Sequence, residues 1–393
     1  MRILFVSVLV GVTACSSQAD DVGGNSIPTL HMEEIVRIGT MDGPEETQFS
    51  SPGALDIDPD TREIFVGDAV SGNIRVFNRH GQFLRSFGRR GQGPGEFNEM
   101  PVFSVARDTV LVLDRIRMHL FDRDGGHLKS AMFKIVDGLA LPMGVYADSR
   151  GWVGVTMEVD PYAGGRGAFE RFYRIDARDA VVEEPFFEVH HRDETQGLFF
   201  QQQRAAVVDD GFVTTTGPEY ELRYHPAPQS EALLLRFEVA PVPVSPDALK
   251  EYASARRGGC EGSGNPTRCL KLADDRIAET ASRPIPAKRP VVGGLQGSSV
   301  GFVLVKRADL DPTPFQDGGD TRWDLIHVDG RLVGALSFPP GFFPRWFTEE
   351  EVWGFQLGDF DVPFVVGYRL EAQGNAPNSS EERSGHTPGS SRR

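Results

Sequence analysis

The sequence predicts an all-β fold: a six-bladed β-propeller of four-stranded antiparallel blades, its ring closed by the N-terminal strand, with a small helical insertion. Three observations carry this. An apolar strand, a short polar turn and a second strand recur along the chain. The recurrence has the period of a propeller blade. The 44 glycines and 27 prolines fall between short apolar runs, as in a chain built of many turns.

The clearest hairpins are "IRVFNRHGQFLRSFG" (74–88), "HLFDRDGGHLKSAMF" (119–133) and "LIHVDGRLVGALSF" (325–338). "FYRIDARDAVVEEPFF" (172–187) and "LRYHPAPQSEALLLRF" (222–237) are looser versions. Each closes its first strand with a turn-forming cluster such as His-Gly, Asp-Gly or Pro-Ala-Pro, as a hairpin needs. A strand pair precedes each hairpin. It is clearest in "GALDIDPDTREIFVGD" (53–68) and recurs in 102–114, 143–158, 203–216 and 291–307. The unit is therefore a four-stranded meander. Phe77 and Phe121 hold the same place in successive units and stand 44 residues apart, within the ~40–50 residues of a blade.

A sixth pair, "RWFTEEEVWGFQL" (345–357), leads to "FVVGYRLE" (364–371), which has no following partner. "EIVRIG" (34–39) supplies one. It precedes the first complete unit, and its sequel "GPEETQF" parallels the "GPGEF" that follows the fourth strand of that unit. Pairing the two ends of the chain leaves no blade edge open. Seven blades is the rival count, because a long stretch separates the fourth hairpin from the fifth. Residues 240–289, however, read as helix and loop.

"VGDAVSGNIRVFNRHGQFLRSFG" (66–88), together with "GQGPGEF" (91–97), resembles the NHL-repeat-like six-bladed propellers, many of which are bacterial lipoproteins. The resemblance is strong over the first blade, fair over the second and fifth, and weak over the third and fourth. It implies an architecture and no single activity.

The glycine-rich segment "FGRRGQGPGEF" (87–97) is a connector and not a phosphate loop. A dinucleotide fingerprint needs G-x-G-x-x-G opening a helix, but Glu96 stands where the third glycine would be, and a strand follows. The formal net charge of −15 likewise argues against a nucleic-acid partner.

Met1 and Arg2 precede an apolar run, "ILFVSVLVGV" (3–12), that is too short to span a bilayer. This reads as a signal peptide. "VTAC" resembles the bacterial lipobox, which would lipidate Cys15; ordinary cleavage after Ala14 is the alternative. The expected organisation is a signal peptide with lipobox (1–15), a flexible tether (16–32), the propeller (33–370) and a disordered tail (371–393). The expected location is the bacterial envelope, on the periplasmic side or in the outer membrane, with the membrane as partner through the lipid. Cys260 and Cys269 are the remaining pair, and export to an oxidising compartment predicts a disulfide. It would staple an insertion (240–289) whose first helix starts at Ser245-Pro246 and whose second runs over 270–282.

In such a meander, turns 1–2 and 3–4 lie on one face, and connections 2–3 and 4–1 on the other. The second set holds nearly all the long elements, including 89–100, 159–171, 240–289 and 308–320. Long loops carry function more often than scaffold does, so a small-molecule or protein ligand is expected on the 4–1 face of a monomer. At the starts of the inner strands stand Gln202, Arg204, Arg289 and Arg345, which suit an anionic ligand or pair with acids at the rim. No catalytic residue and no cofactor is predicted. Ca²⁺ is the cation considered, at Asp309, Asp311 and Asp317 in "DLDPTPFQD", although that segment lacks the glycine and closing Glu of a Ca²⁺ loop. The leading reading is a ligand-binding or protein-interaction module; the alternative is a metal-dependent hydrolase or lyase of the Ca²⁺-propeller type.

Overall fold

A computed structural model describes residues 27–98, 102–106, 108–114, 117–132, 140–148, 150–159, 168–176, 181–182, 185–191, 198–199, 203–227, 230–311 and 322–372. The first strand, β1 (Leu30–Ile38), belongs to the last blade. Blade 1 is β2 (Pro52–Ile57), β3 (Ile64–Asp68), β4 (Asn73–Phe77) and β5 (Phe83–Phe87). Blade 2 is β6 (Val102–Ala106), β7 (Thr109–Asp114), β8 (Arg117–Asp122) and β9 (His127–Met132). Blade 3 is β10 (Ala140–Asp148), β11 (Gly151–Val159) and β12 (Ala168–Asp176), with a divided outer edge of β13 (Val181–Val182) and β14 (Phe187–His191). Blade 4 is β15 (Arg204–Val208), β16 (Gly211–Thr215), β17 (Glu221–His225) and β18 (Leu233–Arg236). Blade 5 is β19 (Val292–Gly297), β20 (Phe302–Arg307), β21 (Arg322–His327) and β22 (Leu332–Ser337). Blade 6 is β23 (Phe342–Phe347), β24 (Glu351–Leu357), β25 (Pro363–Ala372) and the returning β1. The fold is thus the six-bladed propeller that the repeat predicts.

Side chains alternate across each strand, so each blade buries one face on each neighbour. Blade 1 shows this clearly. Ile64 and Val66 join a cluster with Trp353 and Val365 of blade 6, while Phe65 between them joins Phe103 and Val112 of blade 2. Six such clusters fill the six seams between blades. Central strands are buried on both faces, which is why "IFVGD" and "TVLVLD" read as continuous apolar runs. The outer strands β9 and β18 are largely exposed; β9 carries Lys129, a charge that discourages pairing with other chains, whereas β18 exposes Leu233 and Leu234.

Ring closure follows the predicted pairing, with β1 antiparallel to β25 from Leu30↔Ala372 to Ile38↔Val365. The strand reaches back to Leu30, into the segment 16–32 read as a tether. Leu30 is buried in the seam of blades 5 and 6, and Ala335 N–H donates to Pro28 O at 2.8 Å.

The insertion leaves the ring through a short stem, in which Val244 N–H donates to Ala287 O and Arg289 N–H to Val242 O. It contains α1 (Ala248–Gly258) and α2 (Pro266–Ala281), joined by the Cys260–Cys269 disulfide. Both helix starts differ from the sequence reading. Helix α1 starts at Ala248 with Asp247 as its N-cap, so the cap-like bond of Ser245, whose hydroxyl accepts from Asp247 N–H at 3.1 Å, falls in a turn before the helix. The second helix begins earlier than residue 270, at Pro266, because Asn265 caps it by accepting from Arg268 N–H at 3.1 Å.

Candidate functional site

The first strand of every blade lines the central channel. Strand β2 lies against β6 and β23, β6 against β10, and β15 against β19. Between β19 and β23, Gln296 Nε2 donates to Pro344 O at 2.7 Å. As an inner edge, each of these strands carries N–H groups that lie outside the sheet's ladder of backbone bonds. Proline, which has no N–H, is tolerated there and occurs as Pro52, Pro142 and Pro344.

Each of those prolines is followed by an irregularity. The register shifts between Pro52 and Ala54, between Pro142 and Gly144, and between Pro344 and Trp346, leaving Gly53, Met143 and Arg345 as extra, unpaired residues. A fourth shift in β19 leaves Gly293. An extra residue bends the strand and re-aims its side chain. In two cases that residue is glycine, and at Gly293 an added Cβ would come within 2.8 Å of Ala308 Cβ. In the other two it is a large side chain, and both Met143 and Arg345 are solvent-exposed although they sit on inner strands.

Arg345 is ringed by protein and touches channel solvent. Burial pulls its pKa down from the usual arginine value, and Tyr146 partly restores it. Tyr146 sits on β10 of blade 3 and Arg345 on β23 of blade 6. These blades are opposite one another, so the two side chains act on each other across the channel. Burial raises the Tyr146 hydroxyl pKa, Glu170 adds to the rise, and Arg345 opposes it. Arg204 opens β15, half-buried, with its pKa lowered by burial and partly sustained by Glu170. Among the described residues neither Arg204 nor Arg345 forms an ion pair. The Arg345 guanidinium instead lies 5.7 Å from the Phe355 ring centroid.

Asp56 on β2 completes the lining. Ser104 Oγ and Val105 N–H each donate to its Oδ2 at 2.8 Å, and Ile57 N–H donates to Oδ1 at 2.9 Å. Burial outweighs these bonds and pushes its pKa up to about 6. Phe343, half exposed, adds an apolar surface beside Arg345.

The other sequence candidates have different surroundings. Arg289 is tied to the stem of the insertion, with Nη1 donating to Asp311 O at 2.6 Å and its guanidinium 5.5 Å from the Phe199 ring. Asp309 is buried and accepts two bonds from Arg307, at 2.9 and 2.8 Å. Those bonds occupy both oxygens of a carboxylate that the sequence offered to a cation. Asp311 contributes the carbonyl that holds Arg289. Cys15, Gln202 and Asp317 lie outside the described residues. Among the described residues no three His, Cys, Asp or Glu side chains gather as a metal would require. The sequence reading did not name Tyr146, Asp56, Met143 or Phe343. The Pro-x dipeptide on an inner strand was the signal available for Met143 and Arg345.

A family model, DUF5128, described as a 6-bladed beta-propeller, matches residues 44–133. No curated protein matches the chain. Among solved structures, a member of the DUF4221 family from Bacteroides vulgatus is similar, with a TM-score of 0.49 and 11% identity over 88% of this chain and 99% of that one. The calcium-binding protein regucalcin from Agrobacterium tumefaciens gives a TM-score of 0.41 and 10% identity, covering 84% of this chain and 94% of its own. A gluconolactonase from Xanthomonas campestris gives 0.40 and 10%, covering 82% and 87%. Likenesses at this level carry no argument about what this chain does.

Proposed function

We propose that the protein is an exported, lipid-anchored propeller that serves as a binding module of the bacterial cell envelope and holds an anionic ligand at the mouth of its channel. One observation carries the reading: Arg204 and Arg345 reach the channel with no ion-pair partner among the described residues, and burial disfavours the charge on both. A cation held in this way gains most from an incoming oxyanion, because the ligand replaces the water it lacks. Tyr146 offers a hydroxyl to the same space, and Met143 and Phe343 offer apolar surface. Few polar groups converging among apolar ones is the ordinary make-up of a small-molecule site. Export rests on the N-terminal segment, with its apolar run and the lipobox-like sequence ending at Cys15.

Titration calorimetry with a panel of small carboxylates and phosphate esters tests the reading. Arg345→Gln and Arg204→Gln should each weaken the best binder by about tenfold or more. Binding that survives both substitutions rejects the channel as the site. Asp56 lies on an inner strand, and the charge of Glu170, on β12, acts on Tyr146 and Arg204, so a metal-dependent hydrolase or lyase is the second reading. One tightly held, stoichiometric Ca²⁺ or Zn²⁺ in the purified protein would put that reading first.

A further inference from the structure

The seam where the ring closes encloses a second cavity, of about 280 Å³, on the face opposite the long loops. Its floor is apolar, formed by Val36 of β1, Ile57 of β2 and Trp353 of β24. Its rim is cationic. Arg62 comes from the β2–β3 turn, Arg79 and His80 from the β4–β5 turn, and Arg369 from β25. Glu351 is the single carboxylate that lines it.

These groups differ in how far they are already engaged. Glu351 accepts from Arg62 and from Trp353 Nε1, the latter at 2.8 Å. The Arg62 guanidinium also stacks 4.8 Å from the Trp346 ring, and its backbone is held at φ 63, a left-handed conformation rare for arginine. Arg369 pairs with Glu33 at the exposed edge, at 2.9 Å. The side chains of Arg79 and His80 make no hydrogen bond or ion pair among the described residues. They are nevertheless held in place by their backbone. Asn78 Oδ1 accepts from His80 N–H and Gln82 N–H, each at 3.0 Å, and Gly81 at φ 80 lets the turn lie directly on Val36 and Ile38. A rigid turn thus presents two unengaged donors over a small hollow that already contains two more guanidinium groups.

We infer that this cavity is a binding site for a small oxyanion-bearing ligand, a carboxylate or a phosphate, held by Arg79, His80 and Arg369. The volume lies just below the usual range for drug-sized ligands, so the occupant is compact. Arg79 and His80 belong to blade 1, whereas Arg369 belongs to the strand that β1 covers in blade 6. The ligand therefore bridges the ring closure and binds the closed ring only, so occupancy raises thermal stability by mass action. This site shares no residue with the channel and does not depend on the reading given for it.

The test is a thermal melt of the purified protein in inorganic phosphate, and separately in citrate, against sodium chloride of matched ionic strength. Tryptophan emission is followed in parallel, since Trp346 and Trp353 both lie at this seam. The expected result is a rise in Tm that saturates at millimolar anion, below the range in which phosphate stabilises proteins in general by exclusion. Arg79→Gln and Arg369→Gln should each raise the half-saturating concentration by about tenfold or more, with the melting point in chloride unchanged. Arg345→Gln should leave the response intact, which separates this site from the channel. A Tm that follows ionic strength alone, or a saturable response that persists unchanged in both seam variants, overturns the inference.

Discussion

The Tyr220 hydroxyl donates to Asp324 Oδ2 at 2.7 Å and so joins blade 4 to blade 5. Both residues are buried, and the same carboxylate oxygen accepts from Arg307 Nη1 at 3.0 Å. Arg307 in turn grips Asp309, and its guanidinium lies 5.0 Å from the Tyr220 ring. Burial and Asp324 together hold the Tyr220 hydroxyl pKa well above the ordinary tyrosine value, so this residue donates across the whole physiological range. A buried charge is tolerable only when its partners are complete. Here two aspartates face Arg307, with Arg322 Nε donating to the remaining oxygen of Asp324 at 3.1 Å.

That closure makes the network intolerant of single losses. Tyr220→Phe should cost about 1.5–3 kcal/mol, as for a hydrogen bond to a charged group. Asp324→Ala should cost more, about 3–5 kcal/mol, because it leaves arginine charge uncompensated in the seam. Urea denaturation checks both; equal and small changes in midpoint would show that water enters the seam.

The channel arginines should behave in the opposite way. Arg345 is solvent-exposed and has no ion-pair partner among the described residues, so the fold does not depend on its charge. Arg345→Met should keep the stability within about 0.5 kcal/mol of the parent while weakening binding by about tenfold or more. A thermal melt of Arg345→Met that falls below that of the parent would show that the arginine is structural.

Two buried groups predict a pH dependence whose contributions oppose each other. His119 is fully buried, its Nδ1 is 2.8 Å from Ser130 Oγ, and burial pushes its pKa down to about 4. Between about 6.5 and 4 the unfolded chain binds the extra proton, so stability is lost as pH falls through this window. Asp56, raised to about 6, does the reverse: between about 6 and 3.8 the folded chain holds the extra proton, so stability is gained as pH falls. Each term is on the order of 3 kcal/mol, so the parent should vary little from these two groups. Asp56→Asn should therefore lose stability on acidification from pH 6 to 4.5 more steeply than the parent. His119→Phe should lose it less steeply, or gain. Denaturant midpoints at three pH values measure both slopes.

The disulfide should matter locally. Helices α1 and α2 pack chiefly on each other, beyond a two-stranded stem. Closing so short a loop restricts the unfolded insertion by about 2–3 kcal/mol. Cys260→Ser with Cys269→Ser should therefore speed amide exchange across 248–281 and leave the propeller's melting point where it was. A drop in the main transition would mean that the insertion supports the ring.

The fold was legible because its signal is local and repeated. Turn clusters and alternation mark every blade, and "EIVRIG" declared its place through the sequel it shares with the connector after Phe87. The site was legible only in part. Arg345 could be placed on an inner strand but not at its start, which lies at Phe342, and its exposure comes from a bulge defined by the partner strand, which no single segment reveals. Tyr146 sits in "MGVYADS" as one more alternating residue, and only the ring brings it opposite Arg345. The Asp309 carboxylate looked available because its partner, Arg307, is an ordinary strand residue in the sequence. The start of α2 was missed because the apolar spacing begins at Leu270, whereas the cap lies upstream at Asn265-Pro266.

Ring closure yields the most direct test of the architecture. Strand β1 buries Leu30 and Ile38 and covers the edge of β25 along its length. A chain beginning at Ile27 keeps every one of these pairings and should melt with the parent. A chain beginning at Met41 loses them all. It forfeits about 1.5–3 kcal/mol for each fully buried aliphatic side chain, out of a total stability of roughly 5–15 kcal/mol. It also leaves β25 as an open edge, ready to pair with another chain. Because the boundary of β1 falls at Leu30, Leu30→Ala in the full chain should cost about 2–5 kcal/mol by itself. Melting and size-exclusion profiles of the three proteins settle the matter. The chain from Met41 should aggregate or melt far below the others, Leu30→Ala should fall between, and a chain from Met41 that melts with the parent would remove β1 from the ring.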